Sequence, residues 1–310
     1  MIVLSLFDGM SCGQIALNQL GLEVEKYFAS EIKPHAIKCT QHNFPDTIQI
    51  GDVCKISYRD GILTTENGSF EVGKIDLLIG GSPCQGFSRA GKELNFNDER
   101  SKLFFEYVRI LKEVNPAYFL LENVVMRKEY SDVITDILGV TPIMINSALV
   151  SAQERKRLYW TNIQGIRQPE DRNIYLCDVV NFKSGIPLKE NTIDEIRKYT
   201  KRDFDVSIDK NGNIRPHRKD KRKSGISEIG TLRNPNCKSV TIIKSHAPKT
   251  YKSPFEIYEL NRNECEQLQN VPMNYTIPVS EKQAKDLLGD GWTVEVIKHI
   301  FRNISQRSIN

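Results

Sequence analysis

The sequence predicts an α/β fold in which a parallel sheet carries helices on both faces. Over the first half of the 310 residues, short apolar runs alternate with amphipathic stretches, and this alternation is typical of parallel sheets. From about residue 164 the sequence becomes more polar, more basic and less regular. We therefore predict one large α/β domain with a smaller domain inserted into it.

Apolar runs predict the strands of the sheet, and amphipathic periodicity predicts the helices. The predicted strands are residues 2–7, 25–30, 48–53, 75–81 and 117–124. The predicted helices are residues 13–21, 33–44, 101–114, 261–271, 281–289 and 294–304. Residues 153–160, QERKRLYW, predict a further extended segment.

The change in pattern divides the chain at two points. Residues 1–163 are predicted to form the α/β domain and residues 164–253 the smaller inserted domain. Residues 254–310 are predicted to supply C-terminal helices that return to the first domain.

Composition and targeting signals exclude several classes of protein. The chain is 39% hydrophobic and 26% charged, as is ordinary for a soluble globular protein. It has no apolar run of the ~18 residues that a membrane span needs, and its start, MIVLSLFDGM, lacks signal-peptide features. Seven cysteines without a C-x-x-C pair favour reduced thiols over disulfides or a zinc site. We expect a cytoplasmic protein with no metal and no membrane partner.

One segment carries the positive charge of the chain. Residues 197–223 hold 11 lysines and arginines against 4 acidic residues, whereas the remaining chain is slightly acidic. A charge run of this kind is either a solvated loop or a surface that binds a polyanion. Charge alone leaves both interpretations open.

Four residues with reactive or acidic side chains lie at or just past the ends of predicted strands: Glu31, Asp52, Cys84 and Glu122. In an open α/β sheet, ligands bind outside the carboxyl ends of the strands. We therefore expect these four side chains to converge on one rim of the sheet.

The segment LFDGMSCG follows the first strand and opens a helix, where a glycine-bearing turn lets backbone amides approach a ligand. Glu31, after the second strand, suits a pair of ribose hydroxyls, and Asp52, after the third, suits an exocyclic adenine amine. Either acid taken singly is also explained as a solvated loop residue. The three features follow three successive predicted strands, and together they favour an adenosine-containing ligand.

Cys84 follows Pro83 in a polar loop. Free cysteines are often small buried hydrophobes, but a cysteine on a rim loop is placed to react as a thiolate. Glu122 is a candidate for proton transfer, and Arg155 and Arg157 share one face of an extended segment, with surface salt bridges as the alternative. This combination suggests group transfer to an electrophilic ring, such as a pyrimidine that accepts a thiolate at C6.

The motifs LSLFDGMSCG, GDV, GGSPCQGFSRAG, ENV, QERKR and QAKDLLGDGWTVEVIKHIF, in this order, resemble those of the DNA (cytosine-5) methyltransferase family. The resemblance runs from residue 3 to about residue 301, with several motifs similar to the animal de novo branch, although we expect a prokaryotic or phage member. It implies a Rossmann-like S-adenosylmethionine-dependent methyltransferase domain in residues 1–163. It also implies a variable target-recognition domain in residues 164–253.

The resemblance implies S-adenosylmethionine as the cofactor and S-adenosylhomocysteine as its product. Glu31 would bind the ribose hydroxyls, Asp52 the adenine amine, and Trp292 would close the pocket. The residues implied to line the cofactor site are Phe7, Asp8, Gly9, Glu31, Ile32, Asp52, Val53, Ser82, Pro83, Asp290, Gly291 and Trp292.

The resemblance further implies that Cys84 attacks C6 of a cytosine flipped out of double-stranded DNA. Glu122 would contact N3 and the amino group of the base, while Arg155 and Arg157 would hold the anionic adduct and O2. The residues expected to contact DNA are Gln85, Ser88, Thr241, Arg218, Lys219, Lys221, Arg222 and Lys223. The sequence leaves the oligomeric state open, either a monomer or an oligomer.

Two motifs depart from the family pattern, and two alternatives remain open. The later glycines of F-x-G-x-G-G are absent from residues 7–12, and the usual Gly-Asn-Ser/Ala-Val reads Gly-Asp-Gly-Trp in residues 289–292. One alternative is a tRNA cytosine-5 methyltransferase, although that branch usually has Pro-Pro-Cys where this chain has Ser82-Pro83-Cys84. The other is a catalytically silent DNA-binding paralogue.

Overall fold

The structure, a computed structural model, describes residues 1–82, 99–181, 186–187, 204–208, 210–211, 213–218, 233, 235–243, 247–253 and 256–304. The strands are β1 (Ile2–Leu6), β2 (Lys26–Ser30), β3 (Ile48–Gln49), β4 (Ser57–Arg59), β5 (Ile62–Thr65), β6 (Gly68–Glu71), β7 (Leu77–Gly80), β8 (Tyr118–Val124), β9 (Ile143–Asn146), β10 (Lys156–Thr161), β11 (Ile186–Pro187), β12 (Phe204–Ile208), β13 (Ile214–Arg218), β14 (Lys249–Ser253) and β15 (Glu256–Glu259). The helices are α1 (Cys12–Gln19), α2 (Pro34–Asn43), α3 (Glu99–Val114), α4 (Lys128–Leu138), α5 (Arg262–Leu268), α6 (Glu281–Asp290) and α7 (Val294–Phe301).

Within the described residues, seven strands form a central sheet in the order β3-β2-β1-β7-β8-β10-β9. The five strands predicted from apolar runs are parallel, which confirms the α/β prediction. The extended segment QERKRLYW supplies β10, which runs antiparallel to both of its neighbours. The connection from β9 to β10, residues 147–155, is shorter than the ~12 residues that a parallel crossover needs.

The order of the strands reverses at β1, which lies between β2 and β7. Parallel strands direct their carboxyl ends to the same edge, and ligands bind at such a reversal point. The rim predicted to hold the site is therefore the edge where β1, β2, β3, β7 and β8 end.

Helices and sheet enclose one hydrophobic core in this part of the chain. Leu4, Phe28, Leu78, Phe104 and Trp160 are among its fully buried side chains. Helix α1 packs against α7, and α3 packs against β4. Among the described residues, no helix has the length and apolarity to cross a bilayer.

Strands β4, β5 and β6 form a separate three-stranded antiparallel sheet, here called the meander, which was not predicted from the sequence. Its first turn is Asp60-Gly61, where both residues have a positive φ (51° and 81°), as a two-residue type I′ hairpin turn requires. The side chain of Leu63 is fully buried, and the ring of Phe70 meets that of Phe28 edge to face at 5.4 Å between centroids.

The third strand is shorter than predicted. Residues 48–53 were expected to be a strand, but β3 ends at Gln49. Gly51 has a φ of 77°, a left-handed conformation that turns the chain out of the sheet. The turn carries Asp52 away from the strand while keeping it at the rim.

The chain divides into two compact units. Unit 1 consists of Met1–Asn146, Lys156–Pro169 and Gly291–Asn310, and unit 2 of Ser147–Arg155 and Glu170–Asp290. Unit 1 contains the central sheet and the meander. Unit 2 contains the sheet β11-β15-β14, the hairpin β12-β13 and helices α5 and α6. That residues 164–253 recognise a target stays a prediction.

Candidate active site

The loop that follows β1 has three residues in the left-handed region: Phe7 (φ 57°), Gly9 (φ 61°) and Ser11 (φ 59°). Asp8 N donates to Ser30 O at 3.0 Å, so the loop lies against the end of β2. Ser11 stands at a position where the family pattern has glycine. Its N–H donates to Asp8 O at 3.1 Å and its hydroxyl donates to the Asp8 carboxylate, which stabilises a conformation that is otherwise unusual for serine.

The carboxylate of Asp8 is surrounded by hydroxyl donors. Tyr27 Oη, on β2, donates to Oδ1 at 2.9 Å, and Ser11 Oγ donates to Oδ2. Burial raises the pKa of Asp8 to about 6, and nearby Glu31 adds to the rise, while these hydrogen bonds oppose it. Tyr27 was not predicted as a site residue, because its contact with Asp8 spans 19 positions and depends on the pairing of β1 with β2.

Glu31 comes directly after β2 and joins the loops that follow β1 and β2. Its Oε2 accepts from Gly9 N at 2.8 Å, and its Oε1 accepts from Ile32 N at 2.8 Å and Lys33 N at 2.9 Å. Three backbone donors therefore fix the direction of this carboxylate. The structure brings Asp8, Gly9 and Glu31 together where β1 and β2 end.

Asp52 caps the 3-10 helix Val53–Lys55, where its Oδ1 accepts from Cys54 N at 3.0 Å. Val53 is buried in the core, whereas the side chain of Ile32 is 68% exposed. Ser30 Oγ donates to Gly51 O at 2.8 Å and so ties the turn before Asp52 to the end of β2. The exposed apolar side chain of Ile32 and the carboxylate of Asp52 suit a planar ring that carries a hydrogen-bond donor.

Glu122 lies within β8 rather than at its end, and it is buried. Arg157 Nε, on β10, is 2.9 Å from Oε1, and Trp292 Nε1 donates to Oε2 at 3.1 Å. Each carboxylate oxygen thus has a donor from a different element. The structure brings together three residues that were predicted from separate motifs.

Gly81 and Ser82 follow β7 and lie beside Glu122 and Asn123. A Cβ on Gly81 would be 3.0 Å from Glu122 Oε2 and 3.1 Å from Trp292 Nε1, so glycine leaves room for this pair. Asn123 Nδ2 donates to Ser82 O at 3.4 Å. Among the described residues, the buried Ser82 Oγ has no hydrogen-bond partner, and a polar group in that state calls for one.

In unit 2, Arg155 and Thr241 lie in one hydrogen-bonded cluster. Arg155 is 3% exposed, and its guanidinium donates to Gly289 O at 2.9 Å and Ile242 O at 3.4 Å. Thr241 Oγ1 donates to Glu154 O at 2.5 Å. The two arginines of QERKR thus have different environments, since Arg157 contacts a carboxylate of unit 1 and Arg155 contacts backbone carbonyls of unit 2.

The model of the family described as C-5 cytosine-specific DNA methylase matches residues 1–306. The chain belongs to this family. It is a DNA cytosine-5 methyltransferase, as the ordered motifs implied. The family description names DNA as the molecule that is methylated, so the tRNA alternative is not favoured.

Individual relatives agree with this methylase assignment. Type II methyltransferase M1.ScrFI of Lactococcus lactis subsp. cremoris is 32% identical to this chain, and the matched region covers 96% of this chain and 76% of the length of M1.ScrFI. Type II methyltransferase M.DsaV of Dactylococcopsis salina is 27% identical over 97% of this chain and 85% of its own. Relatives of this type are consistent with a prokaryotic or phage member.

The fold of the methylase also agrees with a solved structure. The crystal structure of a DNA modification methyltransferase encoded within an E. coli prophage has a TM-score of 0.66 to this chain, at 18% identity and 98% coverage of both chains. This similarity confirms the predicted Rossmann-like methyltransferase fold.

The rim of unit 1 fits S-adenosylmethionine, the cofactor that C-5 cytosine methylases use in general. Hydroxyls and a cationic group need acceptors, and Glu31 and Asp8 supply carboxylates at this rim. The exposed side chain of Ile32 is an apolar surface against which a ring can pack. The buried hydroxyl of Ser82 has no hydrogen-bond partner among the described residues and can bond to a polar group. No cluster of three metal ligands occurs in the part of the chain that the structure describes.

Several predicted site residues of the methylase lie outside the described residues, and their roles stay predictions. They are Pro83, Cys84, Gln85, Ser88, Lys219, Lys221, Arg222 and Lys223. Arg218 ends β13, and Asp290 ends α6 with an exposed side chain. Gly291 and Trp292 begin the last part of unit 1.

Proposed function

We propose that this methylase transfers a methyl group from S-adenosylmethionine to C5 of a cytosine flipped out of double-stranded DNA, through a covalent bond between Cys84 and C6. The single observation that carries the proposal is the buried Glu122, held by Arg157 and Trp292 beside Gly81 and Ser82. Cys84 follows Ser82 by two positions in the sequence, and Ser82 comes after β7, the strand that pairs with the β8 strand of Glu122.

The proposed reaction needs an acid at the base while the thiolate adds. Addition of the Cys84 thiolate to C6 moves electrons toward N3 and C5, and a proton from Glu122 at N3 keeps the ring neutral. C5 then takes an electrophilic methyl group, which S-adenosylmethionine supplies when bound. Loss of the C5 proton to a base, return of the N3 proton to Glu122 and expulsion of the thiolate restore the ring and free Cys84.

The neighbours of Glu122 support this role. Arg157 and Trp292 fix the carboxylate toward one direction, which reduces the reorganisation needed when the base arrives. Gly81 leaves the room that the carboxylate and the indole occupy. We assign Arg157 and Trp292 as the partners that orient the acid.

The cofactor would lie along the loops after β1, β2 and β3. Glu31 would accept from the ribose hydroxyls, Asp52 from the adenine amine, and Phe7, Asp8 and Gly9 would line the methionine end. The cytosine must leave the duplex, because C5 and C6 are not open to attack within the stack. The basic residues 197–223 would contact phosphates of the DNA, and the enzyme would act in the cytoplasm.

The proposal is tested by conversion sequencing of DNA from three cell lines. One expresses the wild-type enzyme, one the Cys84→Ala variant and one the Glu122→Gln variant. We expect protected cytosines in one shared sequence context with the wild type and none with Cys84→Ala. Cys177→Ala, which alters an exposed cysteine that is not among the predicted site residues, is the matched control and should leave the pattern unchanged. Unmodified DNA together with methylated tRNA would overturn the DNA proposal, and methylation by Cys84→Ala would overturn the nucleophile.

A further inference from the structure

Glu66 lies in the turn between β5 and β6 of the meander and reaches the loop that carries Asp52. Its Oε1 accepts from Asp52 N at 2.8 Å, and its Oε2 accepts from Lys55 Nζ at 2.5 Å. These hydrogen bonds, that from Lys55 first, lower the pKa of Glu66. One carboxylate therefore holds both sides of the 3-10 helix that Asp52 caps.

The same turn also touches the residues before Asp52. A Cβ on Gly51 would lie 2.1 Å from Glu66 Oε1, so the carboxylate rests directly on the glycine. Asn67 Nδ2, next to Glu66, donates to Gln49 O at 3.0 Å. Gly51, with its φ of 77°, both makes the turn and leaves the space that the carboxylate fills.

We propose that Glu66 is a positioning residue for the adenine end of the cofactor site, and that the meander serves to place it there. This inference rests on the proposed function, in which Asp52 accepts from the adenine amine. The carboxylate of Asp52 is directed by Cys54 N, and its backbone is directed by Glu66. Glu66 thereby acts through Asp52.

The positioning role predicts a selective loss of adenine recognition. We expect Glu66→Ala to weaken binding of S-adenosylhomocysteine about tenfold, as the loss of a charge-assisted hydrogen bond allows. S-Inosylhomocysteine has an oxygen in place of the adenine amine. The affinity of Glu66→Ala for this compound should differ from that of the wild type by less than about twofold. The KM for S-adenosylmethionine should rise while kcat at saturation stays the same, because chemistry at the base is untouched.

Isothermal titration of the full chain with both homocysteine compounds tests the proposal, with Glu66→Gln and Glu71→Gln beside Glu66→Ala. Glu66→Gln keeps an acceptor for Asp52 N and should retain most of the affinity. Glu71→Gln removes an exposed carboxylate from the same meander and should behave as the wild type. Thermal unfolding of each variant verifies that it is folded.

The outcomes separate the inference from the proposed function. If the wild type does not bind S-adenosylhomocysteine, the cofactor assignment fails. If Glu66→Ala binds S-adenosylhomocysteine as tightly as the wild type does, the positioning role is wrong. The role is also wrong if Glu66→Ala loses affinity for S-adenosylhomocysteine and S-inosylhomocysteine by the same factor. A loss confined to S-adenosylhomocysteine, with recovery in Glu66→Gln, supports the role.

Discussion

At the scale of single residues, Glu122 owes its orientation to strand register. In the antiparallel pair of β8 and β10, Glu122 lies opposite Tyr159 and Arg157 lies opposite Val124. Residues two positions apart across such a pair share a face as diagonal neighbours. Arg157 Nε therefore reaches the Glu122 carboxylate, and a shift of one residue in register would separate them.

Removing the acid should slow methyl transfer more than removing either of its donors. We expect Glu122→Gln to lower the single-turnover rate by at least about 100-fold, the lower range of general acid catalysis. Trp292→Phe removes one donor and should cost about tenfold or less, as for a single hydrogen bond. The readout is transfer of labelled methyl groups to DNA, with the exposed Glu129→Gln on α4 as control; a fully active Glu122→Gln would contradict the assignment.

Asp8 should make stability depend on pH. Its pKa is raised by burial to about 6 from an ordinary value of 3.8, so the folded state binds this proton more tightly than the unfolded chain does. The free energy of unfolding should then fall as pH rises from about 4 to 7, by about 2 kcal/mol from this group. Denaturant unfolding across this range should show a smaller fall for Asp8→Asn.

Asp136→Asn serves as the control for that experiment, since it alters an exposed aspartate on α4. Its unfolding free energy should follow the wild type at every pH. Equal slopes for the wild type and Asp8→Asn would show that Asp8 does not titrate in this range.

At the scale of elements, Arg109 on α3 joins the helix to the meander. Its guanidinium contacts Glu106 and Glu113 at 2.7 Å each and donates to Ile56 O at 2.8 Å, just before β4. Glu113 in turn accepts from Tyr58 N at 2.9 Å. The edge of the meander is therefore paired to α3 through side chains.

Removing this junction should destabilise unit 1. We expect Arg109→Ala to lower the free energy of unfolding by roughly 1–3 kcal/mol, because it leaves carboxylates and a carbonyl without their donor. Lys112→Ala, at an exposed position on the same helix, should change it by about 0.5 kcal/mol or less. Urea unfolding measures both, and equal effects would mean that the junction contributes nothing specific.

At the scale of the whole molecule, the uneven charge should govern DNA binding. Each phosphate contact made by Lys or Arg contributes about −0.9 to the slope of log affinity against log salt for duplex DNA. Replacing Lys221, Arg222 and Lys223 by alanine should reduce that slope by about 2–3 and weaken binding to all sequences alike. Fluorescence titration at several salt concentrations measures the slope.

The matched control replaces three exposed basic residues of unit 1, Lys74, Lys112 and Arg302, by alanine. It removes the same charge from the molecule without altering the basic segment. If both triple variants reduce the slope equally, net charge rather than residues 221–223 sets the affinity.

Local patterns predicted most of the sheet but not the meander. The five apolar runs correspond to β1, β2, β3, β7 and β8, since continuous apolar residues are what a buried parallel strand requires. The meander has short strands with one buried face, which give a weak signal. Its Asp60-Gly61 and Asn67-Gly68 pairs are the hairpin signals that could have revealed it.

The amino-acid sequence was sufficient to predict the fold class and the family, because each depends on residue types at short spacings along the chain. The side-chain contacts of Arg157 and Trp292 with Glu122, of Tyr27 with Asp8 and of Glu66 with Asp52 are evident only in three dimensions. Each of these contacts joins residues from different elements. Their meeting depends on strand order, register and a left-handed turn, and no local pattern of residues encodes those distances.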